Sequence, residues 1–204
     1  MFRSTSPPTT NSTMYQATID KADIATLPQV QPAGRIVVVK SRKEADAAVA
    51  ALMHESIIGF DTETRPSFSP RTHYSVALMQ LATADVCFLF RLQFIGEHQG
   101  LKQLLESDDV LKVGLSIKDD FHALRAWMPL IPRNFVELQN MAGQFGIAEK
   151  SLQKMYAIIF GKKISKAQRL SNWEAPILTP QQKKYAAIDA WACRDIFIEL
   201  QKQH

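Results

Sequence analysis

Hydrophobic and polar positions along the chain follow patterns that predict strands first and mostly helices later. Short apolar and β-branched runs predict strands at residues 35–39, 56–61, 75–82, 86–91 and 111–115. Apolar stripes at helical spacing predict helices at residues 19–27, 42–54, 101–105, 117–128, 135–145, 151–160 and 180–202. The short links between the second, third and fourth strands favour an antiparallel meander. The pattern as a whole predicts an α/β domain with helices covering a mixed sheet.

The start of the chain differs in composition from the rest. Residues 1–16 are rich in Ser, Thr and Pro and lack periodicity, so we expect a disordered tail there. We interpret residues 17–34 as an N-terminal extension and residues 35–204 as the domain that carries the function. The first residues contain no apolar segment of the kind found in a secretory signal. Cys87 and Cys193 both lie in apolar contexts and are expected to be reduced core thiols, which favours a cytoplasmic location.

Composition and charge restrict the class of protein only loosely. The chain has 204 residues, of which 46% are hydrophobic and 22% charged, as in one ordinary globular domain. No apolar run approaches the roughly 20 residues that a membrane span needs, so no membrane association is expected. The 24 basic and 20 acidic residues give a net charge of +4. This charge permits a polyanionic partner without requiring one, and nothing indicates a protein partner.

Candidate chemistry begins where the apolar run of the second predicted strand leads into Asp61-Thr62-Glu63. Residues two apart on a strand face the same way, so Asp61 and Glu63 are expected side by side. Two such carboxylates repel each other unless a proton or a cation lies between them. Their hard oxygen atoms suit Mg²⁺ or Mn²⁺. Alone, this motif is more typical of a turn-capping Asp and a solvated Glu, so the interpretation depends on acids elsewhere in the chain.

A second acidic segment follows the last predicted strand. Ser116 and Asp119 have the spacing of a capping box, which predicts a helix start here. Asp119 and Asp120 both fall in the first turn, where the helix dipole favours negative charge. Stabilising that helix start and facing the end of strand 56–61 remain alternatives for either carboxylate.

A third segment is the last predicted helix. Thr179 and Gln182 predict a capping box at its start. Tyr185 and Asp189 are four residues apart and therefore share one face. Asp189 lies at the edge of the buried stripe without a local basic partner. A hydrogen bond to a backbone group or a distant Lys, or a metal ion shared with Asp61, would each satisfy it.

Taken in order, FDTET, VGLSIKDD and SNWEAPILTPQQKKYAAIDA resemble the three exonuclease motifs of the DEDD superfamily, in the subtype with Tyr in the third motif. Residues 163–190 are especially similar to the Werner syndrome exonuclease domain and its ribonuclease D relatives. The similarity extends over residues 35–202, nearly everything outside the tail. It implies a ribonuclease H-like fold, with a five-stranded mixed sheet flanked by helices. It also implies a metal-dependent 3′-5′ exonuclease that releases nucleoside monophosphates from the 3′ ends of DNA or RNA.

The resemblance further implies individual roles. Metal ligands would be Asp61, Glu63, Asp120 and Asp189, and Tyr185 would orient the attacking water. A gapless match from Gly114 selects Asp120, although Asp119, where the Werner relative has Gly, leaves this choice open by one residue. Four clustered carboxylates cannot all stay ionised alone. Two Mg²⁺ or Mn²⁺ ions about 4 Å apart would reverse the local charge and support a two-metal-ion mechanism.

Contacts to nucleic acid are expected from two stretches. Six Lys or Arg and one acid lie between residues 161 and 184, and Lys166 and Arg169 among them could follow a phosphate backbone or simply form a solvated face. Thr62, Arg65 and Phe68 are close enough to the Asp-Thr-Glu motif to contact a terminal nucleotide, or to pack the loop. Two rival interpretations are a non-catalytic nucleic-acid-binding module and an oligonucleotide-trimming phosphodiesterase.

Overall fold

The fold is built around a single mixed sheet. The computed structural model describes residues 15–69 and 73–203. The described residues contain six strands in this sheet: β1 (Arg35–Val39), β2 (Ile57–Thr64), β3 (Val76–Ala82), β4 (Val86–Arg91), β5 (Leu111–Gly114) and β6 (Phe135–Glu137). Their order across the sheet is β1-β4-β3-β2-β5-β6. The predicted meander is present, because β3 pairs antiparallel with both β2 and β4. The other pairs, β1 with β4, β2 with β5 and β5 with β6, are parallel, so the predicted mixed sheet is confirmed.

The sheet of the described residues has six strands where five were predicted, and the additional one, β6, lies where the sequence predicted the first turn of a helix over residues 135–145. Residues Phe135 and Val136 instead pair with Lys112 and Val113 of β5. The Phe135 ring also packs edge-on against two neighbouring phenylalanine rings, at centroid distances of 4.8 and 5.2 Å. Pairing and ring packing override the local helical pattern, so the helix begins only at Leu138.

Helices cover both faces of the sheet. In the described ranges they are α1 (Lys21–Thr26), α2 (Arg42–Leu52), α3 (Leu92–Ile95), α4 (Gln99–Glu106), α5 (Ile117–Trp127), α6 (Leu138–Gln144), α7 (Leu152–Phe160) and α8 (Pro180–Gln201). The capping box predicted at Thr179 and Gln182 is present at the start of α8. The short α3 was not predicted, and α6 begins later than predicted because β6 precedes it. The other helices lie where the sequence predicted them. None of these helices has the length and apolar character that crossing a membrane demands.

The longest helix, α8, lies across one face of the sheet and contacts strands β1 to β5. Its buried residues Ala186 and Ala190 share an apolar cluster with side chains of β3 and β4. On the opposite face, α2, α4 and α5 contribute to a separate apolar cluster. The core therefore has one apolar layer on each face of the sheet, and α8 crosses the centre of one face.

The N-terminal extension is fastened to the basic stretch of the domain. Lys163 forms a parallel bridge with Gln29 through the residues on either side of it: Val30 N donates to Lys163 O at 3.0 Å, and Lys163 N donates to Pro28 O at 2.9 Å. The Lys163 ammonium group also donates to the Ala25 carbonyl. Of the predicted disordered tail, all but residues 15 and 16 lies outside the described residues.

Close contact between β2 and α8 depends on a residue without a side chain. A Cβ atom on Gly59 would lie 1.9 Å from the Ala190 carbonyl oxygen, which is far inside van der Waals contact. Gly59 is therefore required for the helix to approach the strand at this point. The same approach brings the end of β2 beside the middle of α8.

We expect Gly59→Ala to destabilise the protein strongly, because its methyl group overlaps a backbone atom that cannot turn away. The expected loss in the free energy of unfolding is about 3 kcal/mol or more, the upper range for overpacking. Gly143→Ala is the matched control, since a Cβ there meets nothing within 4 Å on helix α6. That variant is expected to gain about 0.5–1 kcal/mol. Urea unfolding measures the stability of both variants. A Gly59→Ala protein as stable as the wild type would contradict the close approach of Gly59 to the Ala190 carbonyl.

Candidate active site

Three carboxylates from two elements meet at the end of β2. Asp61 and Glu63 come from the strand and Asp189 from α8, and one oxygen of each lies within 4.8 Å of the other two. The strand runs on to Thr64, past the predicted end at residue 61. Both strand acids therefore belong to a regular antiparallel ladder, which holds them on the same face.

The fourth predicted ligand, Asp120, lies near this cluster in the first turn of α5 but is not one of the three acids whose oxygens converge. Its carboxylate accepts a hydrogen bond of 2.5 Å from the Thr62 hydroxyl, and its charge raises the pKa of Asp61. Asp119, by contrast, is exposed to solvent. The structure thus turns Asp120, and not its neighbour, towards the acids of β2.

The start of α5 is built differently from the predicted capping box. Ser116 has a φ of 61°, in the left-handed region, and its side chain makes no capping hydrogen bond. Glu137, at the end of β6, replaces it: its carboxylate accepts hydrogen bonds from Ser116 N at 3.1 Å and Ile117 N at 2.9 Å. The predicted box is wrong because a distant carboxylate satisfies these backbone donors. Sequence reasoning missed Glu137, which also contributes to raising the pKa of Asp120.

Tyr185 lies beside the cluster on α8. Its hydroxyl donates a hydrogen bond to the Asp189 carboxylate, one helical turn away. Its ring packs against the fully buried Trp173 ring at a centroid distance of 5.9 Å. The side chain is therefore fixed by an aromatic contact at one end and a carboxylate at the other.

The predicted basic residues lie next to the acids. Lys166 and Arg169 line a cavity of about 330 Å³ whose wall also includes Tyr185 and Asp189. The positive charge of Lys166 acts to lower the pKa of Asp189. This cavity therefore offers positive charge directly beside the carboxylate cluster.

Arg65 and Phe68 line a second cavity, of about 420 Å³, together with Tyr74. The guanidinium of Arg65 pairs with Glu174 at 3.4 Å and lies 4.7 Å from the centre of the Tyr74 ring. The Phe68 side chain is 86% exposed, so it does not pack the loop as one interpretation expected. Glu174 is the single acid of the basic stretch, and it links that stretch to the loop after β2.

The acids of the site hold their protons unusually tightly. Burial, together with the charges of its neighbours, raises the pKa of Glu63 to about 9 and that of Asp61 well above its usual range. Burial likewise raises the pKa of Asp120 and of Asp189 to about 7. At neutral pH the group cannot carry its full negative charge without a compensating cation. Hard oxygen donors gathered this closely fit a divalent cation such as Mg²⁺ or Mn²⁺.

A family model for 3′-5′ exonucleases matches residues 36–204. The bifunctional 3′-5′ exonuclease/ATP-dependent helicase WRN of Mus musculus is 35% identical over 150 residues, which are 71% of this chain and 11% of the mouse protein. The exonuclease 3′-5′ domain-containing protein 2 of Drosophila melanogaster is 33% identical over 148 residues, 71% of this chain and 25% of the fly protein. The chain therefore spans a quarter or less of the length of these two relatives.

Two solved structures share the fold at lower identity. The Nibbler exonuclease domain of Aedes aegypti has a TM-score of 0.76 at 23% identity and covers 82% of this chain and 88% of its own. Ribonuclease D of Escherichia coli has a TM-score of 0.72 at 19% identity and covers 81% of this chain and 45% of its own. These similarities confirm the predicted ribonuclease H-like fold.

The raised pKa values predict that the metal-free protein loses stability as the pH rises. Unfolded carboxyl groups titrate near pH 4, whereas Asp120, Asp189 and Glu63 titrate at about 7 to 9 in the folded chain. The folded state therefore binds more protons across this window, and the free energy of unfolding falls from about pH 4 to about pH 9. We expect Asp189→Asn in EDTA to melt above the wild type at pH 8, with a smaller difference at pH 5.

The control for this measurement is Asp109→Asn, because Asp109 is an exposed acid outside the cluster. Its melting temperature is expected to follow the wild type at every pH. Parallel curves for Asp189→Asn and the wild type would show that Asp189 does not titrate as the geometry requires. Thermal melts in EDTA between pH 4 and pH 9 show whether the difference between Asp189→Asn and the wild type grows with pH or stays constant.

Proposed function

We propose, from the premise that this chain belongs to the 3′-5′ exonuclease family, that it hydrolyses phosphodiester bonds at the 3′ ends of DNA or RNA. The products are nucleoside monophosphates, and the cofactor is Mg²⁺ or Mn²⁺. The observation that supports this best is the meeting of Asp61, Glu63 and Asp189 within 4.8 Å. A module that only binds nucleic acid has no use for clustered acids that repel both each other and the phosphates. Exonucleases of this family use divalent metal ions, which such a cluster suits.

Each acid has a part in holding the cations. Asp61, Glu63 and Asp189 present oxygens towards one point, and Asp120 completes the set from α5. Divalent ions held by these four carboxylates would supply the positive charge that lowers the pKa of a bound water and stabilises the leaving 3′ oxygen. Thr62, whose hydroxyl donates to Asp120, acts by holding that carboxylate in place.

Tyr185 orients the attacking water. Burial raises the pKa of its hydroxyl above the usual value, so the group stays protonated at neutral pH. A protonated phenol is not the anionic form that a general base requires, and its single proton is donated to Asp189. The Tyr185 oxygen therefore holds the water by accepting a hydrogen bond from it, at the edge of the carboxylate cluster.

The two cavities bind different parts of the substrate, one the phosphates and the other a base near the 3′ end. Lys166 and Arg169 contact phosphates of the strand in the cavity that borders Asp189. Phe68, exposed at the rim of the other cavity, stacks on a base near the 3′ end, and Arg65 lies beside it. Neither contact reads a base edge, so the geometry favours acceptance of many sequences.

The test of this function is a cleavage assay on DNA and RNA strands of one sequence, each labelled at the 5′ end. We expect products that shorten from the 3′ side with Mg²⁺ or Mn²⁺ and no cleavage in EDTA. Asp120→Asn should lower kcat by about 10³-fold, since a metal ligand contributes several kcal/mol. Asp119→Asn is its matched control and should stay within about threefold, because an exposed charge is screened by solvent.

Two results would contradict the proposal. One is undiminished cleavage by Asp120→Asn, and the other is the absence of metal-dependent cleavage on both strands. Products that shorten from the 5′ side of a 3′-labelled strand would reverse the proposed polarity. The relative rates on DNA and RNA define the preferred substrate.

The basic cavity predicts a salt-dependent contribution to binding. Each phosphate contact made by Lys166 or Arg169 adds about 0.7 to the slope of log Kd against log salt concentration on a single strand. The double variant Lys166→Gln/Arg169→Gln should therefore lose about 1.4 of that slope. Lys202→Gln, at the far end of α8, should keep the slope. Fluorescence anisotropy measures the Kd, with every variant made in the cleavage-deficient Asp120→Asn protein. Equal salt slopes with and without the double substitution would show that Lys166 and Arg169 do not contact phosphates.

A further inference from the structure

Strand β3 contains one polar side chain among buried apolar ones. The strand is buried along its whole length, and every residue but Gln80 is apolar. Gln80 is 0% exposed, and neither its Nε2 nor its Oε1 has a hydrogen-bond partner within residues 15–69 and 73–203. Each unsatisfied buried polar group costs about 1–3 kcal/mol. A glutamine that leaves both groups unpaired here needs a physical explanation.

Its place in the sheet points to the carboxylate cluster. Gln80 stands directly opposite Asp61 in the antiparallel pair of β2 and β3. Residues paired in this way project from the same face, with Cβ atoms about 5 Å apart. On its other side, Gln80 is opposite Leu89 of β4. Its neighbours on this face along the strand, Leu78 and Ala82, are apolar members of the cluster under α8.

Asp61 is thus the polar side chain beside which the amide is held. A primary amide offers two N–H donors, whereas an ionised carboxylate only accepts. A carboxylate that binds a cation through one oxygen has lone pairs left over, and a donor behind it fixes its orientation. Of the two residues directly opposite Gln80 in the described sheet, Asp61 and Leu89, only Asp61 can accept a hydrogen bond through its side chain.

We propose that Gln80 is a positioning residue for Asp61: once Asp61 holds a divalent cation, the Gln80 amide, which has no partner among the described residues, donates a hydrogen bond to the Asp61 carboxylate and so determines which oxygen faces the cation. This role rests on the proposed function, because it requires Asp61 to hold a divalent cation. It explains why an amide is retained in the centre of an apolar layer. Gln80 itself touches neither the cation nor the substrate.

A purely structural role makes a different prediction from a positioning role. Gln80→Met keeps nearly the same length and volume and removes both unpaired groups. In an apolar layer this exchange leaves the metal-free protein at least as stable as the wild type. Loss of the donor behind Asp61, however, lowers metal affinity by about 10–100-fold, as removal of such outer hydrogen bonds does elsewhere.

The matched control is Leu89→Met, which introduces the same side chain on the same face, on the side of Gln80 away from Asp61. Mn²⁺ binding to the full chain is measured by the loss of the free-ion electron paramagnetic resonance signal. Metal-free melting temperatures in EDTA, and KM and kcat on a labelled strand at saturating Mn²⁺, complete the set. These readouts separate folding, metal affinity and substrate binding.

We expect the Mn²⁺ dissociation constant to rise about tenfold or more in Gln80→Met and less than about twofold in Leu89→Met. The metal-free melting temperature of Gln80→Met should not fall, and KM at saturating Mn²⁺ should not change. Unchanged Mn²⁺ affinity in Gln80→Met overturns the positioning role while leaving the metal site intact. Equal losses of affinity and melting temperature in both variants also overturn it, in favour of general packing. Wild-type protein that fails to bind Mn²⁺ overturns the proposed metal site and this role with it.

Discussion

The repulsion among closely spaced, partly buried carboxylates is the constraint on which the rest of this structure depends. Asp61 and Glu63 are fixed on one face of β2, and Asp189 is brought to them by α8. The helix can lie so near the strand because Gly59 leaves room for the Ala190 carbonyl. The apolar layer beneath α8 thus supplies the free energy that holds the acids together.

The sequence predicted most of the sheet, α8 and its capping box, because these depend on local periodicity and short-range capping. It failed where distant residues decide the outcome. Glu137 caps α5 across 20 residues or more, so no window around Ser116 contains the cause. β6 exists because β5 offers a free edge for pairing, which a helical pattern does not show.

Within the site, spacing and resemblance pointed to the acids, but neither could show which face each side chain takes. The convergence of Asp61 and Asp189 needed the fold, and so did the orientation of Asp120 away from its exposed neighbour. The pairing of Arg65 with Glu174, 109 residues apart, was invisible for the same reason. Gln80 is a different case. A lone glutamine inside an apolar strand is a signal that the sequence itself contains, although its meaning depends on the register that places it opposite Asp61.

The source of the neutralising charge can be argued from the basic side chains that the fold leaves near the acids. Arg65 is engaged with Glu174, and Lys163 with a backbone carbonyl of the N-terminal extension. None of the ion pairs within the described ranges includes Asp61, Glu63, Asp120 or Asp189. Lys166 acts on Asp189, but one ammonium group cannot balance four carboxylates. Protons can reduce the repulsion among these acids, but their ionised forms need positive charge that the chain directs elsewhere, and the gathered oxygens suit a small divalent ion for that purpose.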